Sequence, residues 1–319
     1  MKAGHLSSRQ FAVLDLGTNT FHLLIASTDG KGAWKSIYRT RKTVKLGEGG
    51  FGKKLIAEAP FLRGVNAIKD FKKKLISAGV TEVYACATSA IRSSKNGVNF
   101  VRRIRQETGI RIQVIDGERE AELIAAGVMQ TLPQSDRPIL IMDIGGGSTE
   151  FIIVRSGEII WKRSFDIGAA RLLEKFKPTD PIQSSQVLSI RQYLVRQLEP
   201  LERALKRHPV KLLVSASGSA ESYAKMIGYR HRGINPIASR KTYSFDLMEY
   251  GELHKDLLSS TTALRKTMPG LVQMRIDMIV PASISTYLVL KRFRIPQMML
   301  STFALKEGVA GVVAAGGRI

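Results

Sequence analysis

Cysteine is almost absent from this chain. Cys86 is the only one in 319 residues, so no internal disulfide can form and a reducing, cytoplasmic compartment is expected. Histidine is nearly as scarce, with five residues and no clustered Cys/His pairs, which argues against a zinc site. Aromatic residues make up 7% and are not interleaved with the basic clusters, so nucleic acid is not an expected partner. No apolar run is long enough to span a bilayer, and Met1 to Gln10 is polar with no signal-peptide core, so no membrane association is expected. There is also no GxGxxG dinucleotide fingerprint and no GxSxG nucleophile elbow.

Acidic side chains are the last shortage. With 27 Asp and Glu against 49 Lys and Arg, the formal charge is +22, a field that draws in polyanions. Basic clusters stand at 72–74, 102–105, 230–232 and 291–294. Most of these are solvated helix faces, so the charge supports a polyanionic partner without naming it.

What the chain does contain is an internal repeat. Residues 139–154 run as an apolar strand ending in Asp143, a turn through Gly145, Gly146, Gly147 and Ser148, and a second apolar strand from Phe151. Uncovered glycine amides bind phosphate oxygens, and Asp143 and Glu150 at the turn's edges suit the divalent cation that polyphosphates carry. Residues 11–26 repeat the unit at one constant offset: Asp15 falls on Asp143, Gly17 on Gly145 and Thr20 on Ser148. Two similar domains, each with one phosphate loop, would produce this pattern. The length suits two domains, and the proline-flanked stretch 131–138 marks their boundary. The expected division is 1–132 and 133–319, with the last helix a candidate to pack back on the first domain.

Between these landmarks the pattern alternates in an α/β manner. A hairpin over 11–28 is followed by a strand over 34–44, then a turn over 46–54 that nearly matches a nucleotide P-loop. Lys54 replaces its magnesium-binding hydroxyl, so a flexible glycine turn that lends Lys53 to an anion is expected. A helix over 57–79 stops at Gly79. The strand 83–87 delivers Arg92 near its carboxyl end, where open α/β sheets bind ligands. A basic helix over 99–109 and a strand over 111–115 lead to a helix capped by Asp116. In the second half, a strand over 158–165, one long helix over 183–208 and a strand over 210–214 lead to a small-residue loop, Ser215 to Ser219. A patternless basic connection over 230–242 precedes helices over 246–258, 262–266 and 272–292, the last broken at Pro281. A strand over 298–301 and a helix over 303–315 close the chain.

Taken together, six pieces in order resemble the exopolyphosphatase and guanosine pentaphosphate phosphatase family, within the superfamily of actin, sugar kinases and heat-shock ATPases. They are 15–22, 46–49, 87–92, 117–128, 143–150 and 167–172, with looser matches at 275–277 and 305–308. The resemblance implies two ribonuclease H-like domains with an interdomain cleft, where magnesium-dependent hydrolysis releases a terminal phosphate from polyphosphate or guanosine pentaphosphate. By motif, Glu120 resembles the catalytic base and Arg92 a phosphate ligand. Gly17, Thr18 and Asn19, with Gly145 to Ser148, resemble the two phosphate loops. Asp15, Asp143 and Glu150 are the candidate Mg2+ or water-positioning carboxylates. Dimers are common in the family, so the resemblance leaves a homodimer open.

Three departures qualify the match. Many relatives pair two glutamates where this chain has Arg119 and Glu120, the Ser215 loop lacks a glycine of nucleotide-binding relatives, and Thr302 replaces a frequent aspartate. The chain ends before the helical domain of longer members would begin, so processive handling of long polymers is not expected. Two other readings compete: an actin-like ATP-dependent kinase or ATPase, and a catalytically weak polyphosphate or nucleotide binder.

Overall fold

The computed structural model describes residues 9–29, 31–216 and 218–319, so expectations resting on residues 1–8 and on Ser217 lie outside the described residues. The chain divides into two compact units, 1–127 with 305–319, and 128–304. The expected single boundary at 132/133 is thus replaced by a crossing near residue 127 and a return near residue 305, so that the last helix belongs to the first unit.

In the first unit, β1 (Arg9–Leu16), β2 (Thr20–Thr28) and β3 (Trp34–Thr43) form an antiparallel meander. They are followed by α1 (Glu58–Ser77), β4 (Val83–Ala87), the single turn α2 (Ser89–Arg92), α3 (Gly97–Thr108), β5 (Ile112–Val114) and α4 (Gly117–Met129). The sheet order is β3-β2-β1-β4-β5, with β4 parallel to both β1 and β5. Central β1 is buried from Phe11 to Leu14, whereas edge strand β3 is largely exposed and carries Lys35, Arg39, Arg41 and Lys42, charges that discourage edge-to-edge pairing. α1 lays Val65, Ile68, Phe71 and Leu75 into the core at helical spacing, and Gly79 with φ +66° ends the turn that follows it. Phe100 of α3 packs edge-on to Phe61 and Phe21, and its ring fills the space above Gly64 that any Cβ would contest at 2.6 Å.

The second unit repeats the plan. β6 (Ile139–Ile144), β7 (Thr149–Arg155) and β8 (Glu158–Phe165) form the meander. α5 (Ala169–Phe176), α6 (Ser184–Gln197), α7 (Glu199–Arg207), β9 (Leu212–Ser215) and α8 (Gly218–Arg232) come next. Then follow β10 (Thr242–Phe245), α9 (Leu247–Ser259), α10 (Thr262–Thr267), α11 (Ile279–Arg292) and β11 (Gln297–Ser301). The final α12 (Leu305–Ala314) lies in the first unit, against β1, β2 and β3. The sheet order β10-β11-β9-β6-β7-β8 contains the first unit's order, with β9 parallel to β6 and β11 parallel to β9; β10 is an added antiparallel edge. Each unit encloses its own apolar core.

Two helical expectations are corrected. The long helix over 183–208 is divided at Leu198, because Pro200, inside a continuous helix, would remove an amide and clash with the carbonyl four residues back. In the first turn of α7 it does neither. Pro281 likewise sits in the first turn of α11 instead of breaking it, and Gln273–Arg275 forms a separate 3-10 turn.

Candidate active site

The strand registers turn the sequence repeat into a structural one. Asp15 faces His22 across β1 and β2, and Asp143 faces Glu150 across β6 and β7. In each hairpin the first loop glycine donates to the carbonyl of the residue three ahead, Gly17 to Thr20 at 3.2 Å and Gly145 to Ser148 at 3.0 Å. A Cβ at either glycine would sit 3.0–3.1 Å from that same oxygen.

What orients the second loop is the start of α5. The Gly145, Gly146 and Gly147 carbonyls accept from the amides of residues 168–171 at 2.9–3.3 Å, and Arg171 Nε adds a bond to Gly147 O at 2.8 Å. Asp166 accepts from Arg171 Nη2 at 3.0 Å and steadies that guanidinium. A peptide's N–H points opposite to its C=O. With the carbonyls turned to α5, the amides of Gly146, Gly147 and Ser148 are turned away from it, and they donate no hydrogen bond to the protein among the described residues. Successive amides turned to one side are the kind of arrangement at which anions bind.

The first loop is fixed by a different partner. Thr18 O accepts from the amides of Leu46 and Gly47, and Asn19 O from those of Val44 and Lys45. The segment expected as a flexible glycine turn is therefore a series of hydrogen-bonded turns over 45–55 that anchors this loop, with Lys53 exposed. Thr18 is buried, and Gly17, Asn19 and Asp15 are half-buried.

Arg92 and Glu120, 28 residues apart, meet in the first unit. α2 starts where β4 ends and presents Arg92, while Asp116 caps α4 by accepting from Arg119 N at 2.7 Å, which places Glu120 in the first turn. Arg92 Nη1 donates to Glu120 Oε2 and to the Ile115 carbonyl, both at 2.9 Å. Glu120 is only 7% exposed. Cys86, opposite Asp15 in the parallel register of β1 and β4, reports on the surroundings. Burial first, then the negative charges of Asp15 and Glu120 push its thiol up to about 12, against an opposing pull from Arg119. Asp15, Arg119 and Glu120 thus lie within electrostatic reach of one buried sulfur.

In the second unit Asp143 is half-buried and Glu150 is 1% exposed, accepting from Ser164 Oγ at 2.7 Å. Opposed residues on neighbouring strands project from the same face, so the two carboxylates stand side by side. Among the described residues no group of three or more His, Cys, Asp or Glu side chains is placed to hold a metal ion. Two carboxylates nonetheless fit magnesium, which keeps several waters and takes its remaining ligands from substrate phosphates. In the nucleotide-type loop, the Arg275 guanidinium lies so close over Gly218 that a Cβ there would overlap it at 1.5 Å. Thr302 donates from N and Oγ1 to the Lys241 carbonyl, at 2.8 and 3.1 Å, and so pins the end of β11.

The model of the Ppx/GppA phosphatase family matches residues 24–312. The chain belongs to the Ppx/GppA phosphatase family. Exopolyphosphatase 1 of Mycobacterium tuberculosis is 29% identical over 301 residues, 94% of this chain and 87% of the relative. The crystal structure of an exopolyphosphatase from Cytophaga hutchinsonii superposes with a TM-score of 0.93 at 37% identity, covering 97% of this chain and 99% of that one. An Aquifex aeolicus Ppx/GppA structure, at 23% identity and TM-score 0.79 with 97% and 98% coverage, shares the fold. This Ppx/GppA chain is accordingly an enzyme, of exopolyphosphatase/GppA-type phosphatase function at the family level.

In this Ppx/GppA chain the backbone parts of the candidate site leave almost no trace in the sequence. The amides of residues 168–171 carry no side-chain signature, and Gly168 is their only mark: a Cβ there would meet Gly146 and Gly147 backbone atoms at 2.5 Å. Arg171 lay within a matched motif without an assigned task.

Proposed function

We propose that this enzyme removes the terminal phosphate of inorganic polyphosphate, with Glu120 as general base. The reading is carried by the Glu120 carboxylate, shielded from bulk water and paired with Arg92 at 2.9 Å in the first turn of α4. Glu120 accepts a proton from water as the water oxygen bonds to the terminal phosphorus. The bridging P–O bond then breaks, giving orthophosphate and a chain one phosphate shorter. Arg92 orients the carboxylate and offers its other N–H donors to the phosphate, while the loop amides meet charge on the non-bridging oxygens. Phosphoryl transfer depends mainly on such positioning and charge stabilisation.

Magnesium belongs to the same reading. Asp143 with Glu150 would hold it in the second unit, and Asp15 offers a single carboxylate in the first. When bound, the ion neutralises charge on phosphate oxygens, and it offsets the repulsion of two carboxylates opposed across strands.

Inorganic polyphosphate is favoured over guanosine pentaphosphate for two reasons. The charge of +22 rewards every added phosphate, and Arg275 occupies the space over Gly218 where a nucleoside would approach that loop. We place the enzyme in the cytoplasm on its single, buried cysteine; no helix among the described residues is long and apolar enough to cross a membrane.

The test is orthophosphate release from medium-chain polyphosphate and from guanosine pentaphosphate, each with Mg2+ and with excess EDTA. Release from both is expected only with Mg2+, with the higher kcat/KM on polyphosphate. Absence of release from either substrate would overturn the reading.

A further inference from the structure

The three peptides of the second loop are not held alike. Gly145 O accepts from the Ala169 amide at 2.9 Å, and Gly146 O from those of Ala170 and Arg171 at 2.9 and 3.0 Å. These donors are backbone at the start of α5, and almost any residue there would supply them. Gly147 O receives the Gly168 amide only at 3.3 Å, beyond the usual N–H···O range, and its short bond of 2.8 Å comes from Arg171 Nε. A guanidinium donor makes a charge-assisted bond, roughly twice as strong as a neutral one. The orientation of this third peptide is therefore set mainly by a side chain.

That peptide joins Gly147 to Ser148, so the Ser148 N–H points opposite to the carbonyl that Arg171 holds. Gly147 has no Cβ, and the peptide after it can turn over at low steric cost. Turned over, it would set a carbonyl oxygen where the Ser148 amide now faces, and a phosphate would be repelled. The bond from Arg171 opposes that turn, and by polarising the peptide it strengthens the N–H as a donor. Asp166 completes the arrangement by accepting from Arg171 Nη2 at 3.0 Å. The Asp166 side chain is 72% exposed, and so exposed an ion pair adds little to stability; its effect is to direct the guanidinium.

We propose that Arg171 is a positioning residue: through the Gly147 carbonyl it fixes the Ser148 amide as a donor to substrate phosphate, and Asp166 in turn fixes Arg171. The role requires no contact between Arg171 and the substrate. The proposal rests on the reading of the second loop as a phosphate loop of a polyphosphate hydrolase.

The experiment measures orthophosphate release from medium-chain polyphosphate with Mg2+ by the wild-type enzyme, Arg171→Met, Arg171→Lys, Gly168→Ala and the Gly168→Ala/Arg171→Met double variant. Calorimetric binding of inorganic tripolyphosphate to wild type and Arg171→Met accompanies it, with circular dichroism to check the fold. Loss of one oriented amide–phosphate bond should lower kcat/KM by roughly tenfold to a hundredfold in Arg171→Met, and weaken tripolyphosphate binding by at least about tenfold. Arg171→Lys keeps a charged donor for Gly147 O without the fork that also reaches Asp166, and should recover part of the loss. Because Gly168→Ala displaces the same peptides, the double variant should lose much less than the product of the two single losses. Release within about twofold of wild type in Arg171→Met would overturn the proposal. Losses that multiply would overturn it too, since they mark an arginine acting apart from the loop, such as a direct phosphate ligand. If Arg171→Met does not fold, Arg171→Lys decides: a loss of about threefold or more supports the role, and a smaller one overturns it. Should the wild-type enzyme release no phosphate at all, the hydrolase reading falls and tripolyphosphate binding alone decides. Weaker binding by the variant then supports the positioning role, and equal or absent binding overturns it.

Discussion

His254 is a buried ionisable side chain that the chemistry does not need. It is 4% exposed, its Nδ1 lies 2.6 Å from Ser283 Oγ, and its ring stacks on Tyr287 at a centroid separation of 4.2 Å. Burial, and then the nearby positive charge of Arg191, push its pKa down to about 4, so it folds neutral. An unfolded histidine titrates near 6.5, so the unfolded chain takes up the proton first as pH falls. The stability from keeping His254 neutral is complete above about pH 6.5 and is lost progressively toward about pH 4. Urea unfolding should show a loss on the order of 2 kcal/mol between pH 7 and pH 5, most of it absent in His254→Phe. An equal loss in the variant would assign the pH dependence to other groups. At this scale legibility was uneven. Nothing local tied Arg92 to Glu120, since 28 residues separate them and they lie in two different pieces of the family resemblance, yet they share a 2.9 Å bond. His254 gave no signal, because its neutrality comes from packing between helices distant in sequence.

Elements built from period and punctuation were easiest to read. The two hairpins followed from apolar runs interrupted by glycine, and their equal offset foretold the shared register that opposes Asp15 to His22 and Asp143 to Glu150. The division at Leu198 was hidden because apolar positions continue across it, with Leu194, Leu198 and Leu201 all in one core. The anchoring of the loops was hidden for a different reason, since backbone pairs with backbone there. Gly168 exposes that anchoring to test. Its φ of −63° suits alanine, so any effect of Gly168→Ala comes from the 2.5 Å approach to Gly146 and Gly147. Backbone at that distance has to shift, which displaces the amides of Gly146, Gly147 and Ser148. The variant should keep its circular dichroism spectrum and lose about tenfold or more in kcat/KM on polyphosphate, because small misplacements of binding groups are heavily penalised. Activity within about twofold of wild type would show that α5 does not set the loop.

For the molecule as a whole, composition narrowed the partners and the repeat disclosed the architecture. A charge of +22 with few aromatics pointed to a polyanion that is not read by base stacking. Duplicated loops pointed to two units of one plan, which the strand orders reproduce. The return of α12 to the first unit was less legible: its apolar face shows that it packs, and only the tertiary contacts show against what. Gly308 marks that packing, since a Cβ there would meet Leu123 O of α4 at 1.7 Å; the chain's last helix therefore braces the helix that carries Glu120. Glu120 remains the centre of the account, and the most direct test compares orthophosphate release from medium-chain polyphosphate by wild-type and Glu120→Gln enzymes with Mg2+. The account predicts a fall of about a hundredfold or more in kcat with polyphosphate binding retained; turnover at the wild-type rate in Glu120→Gln would contradict it.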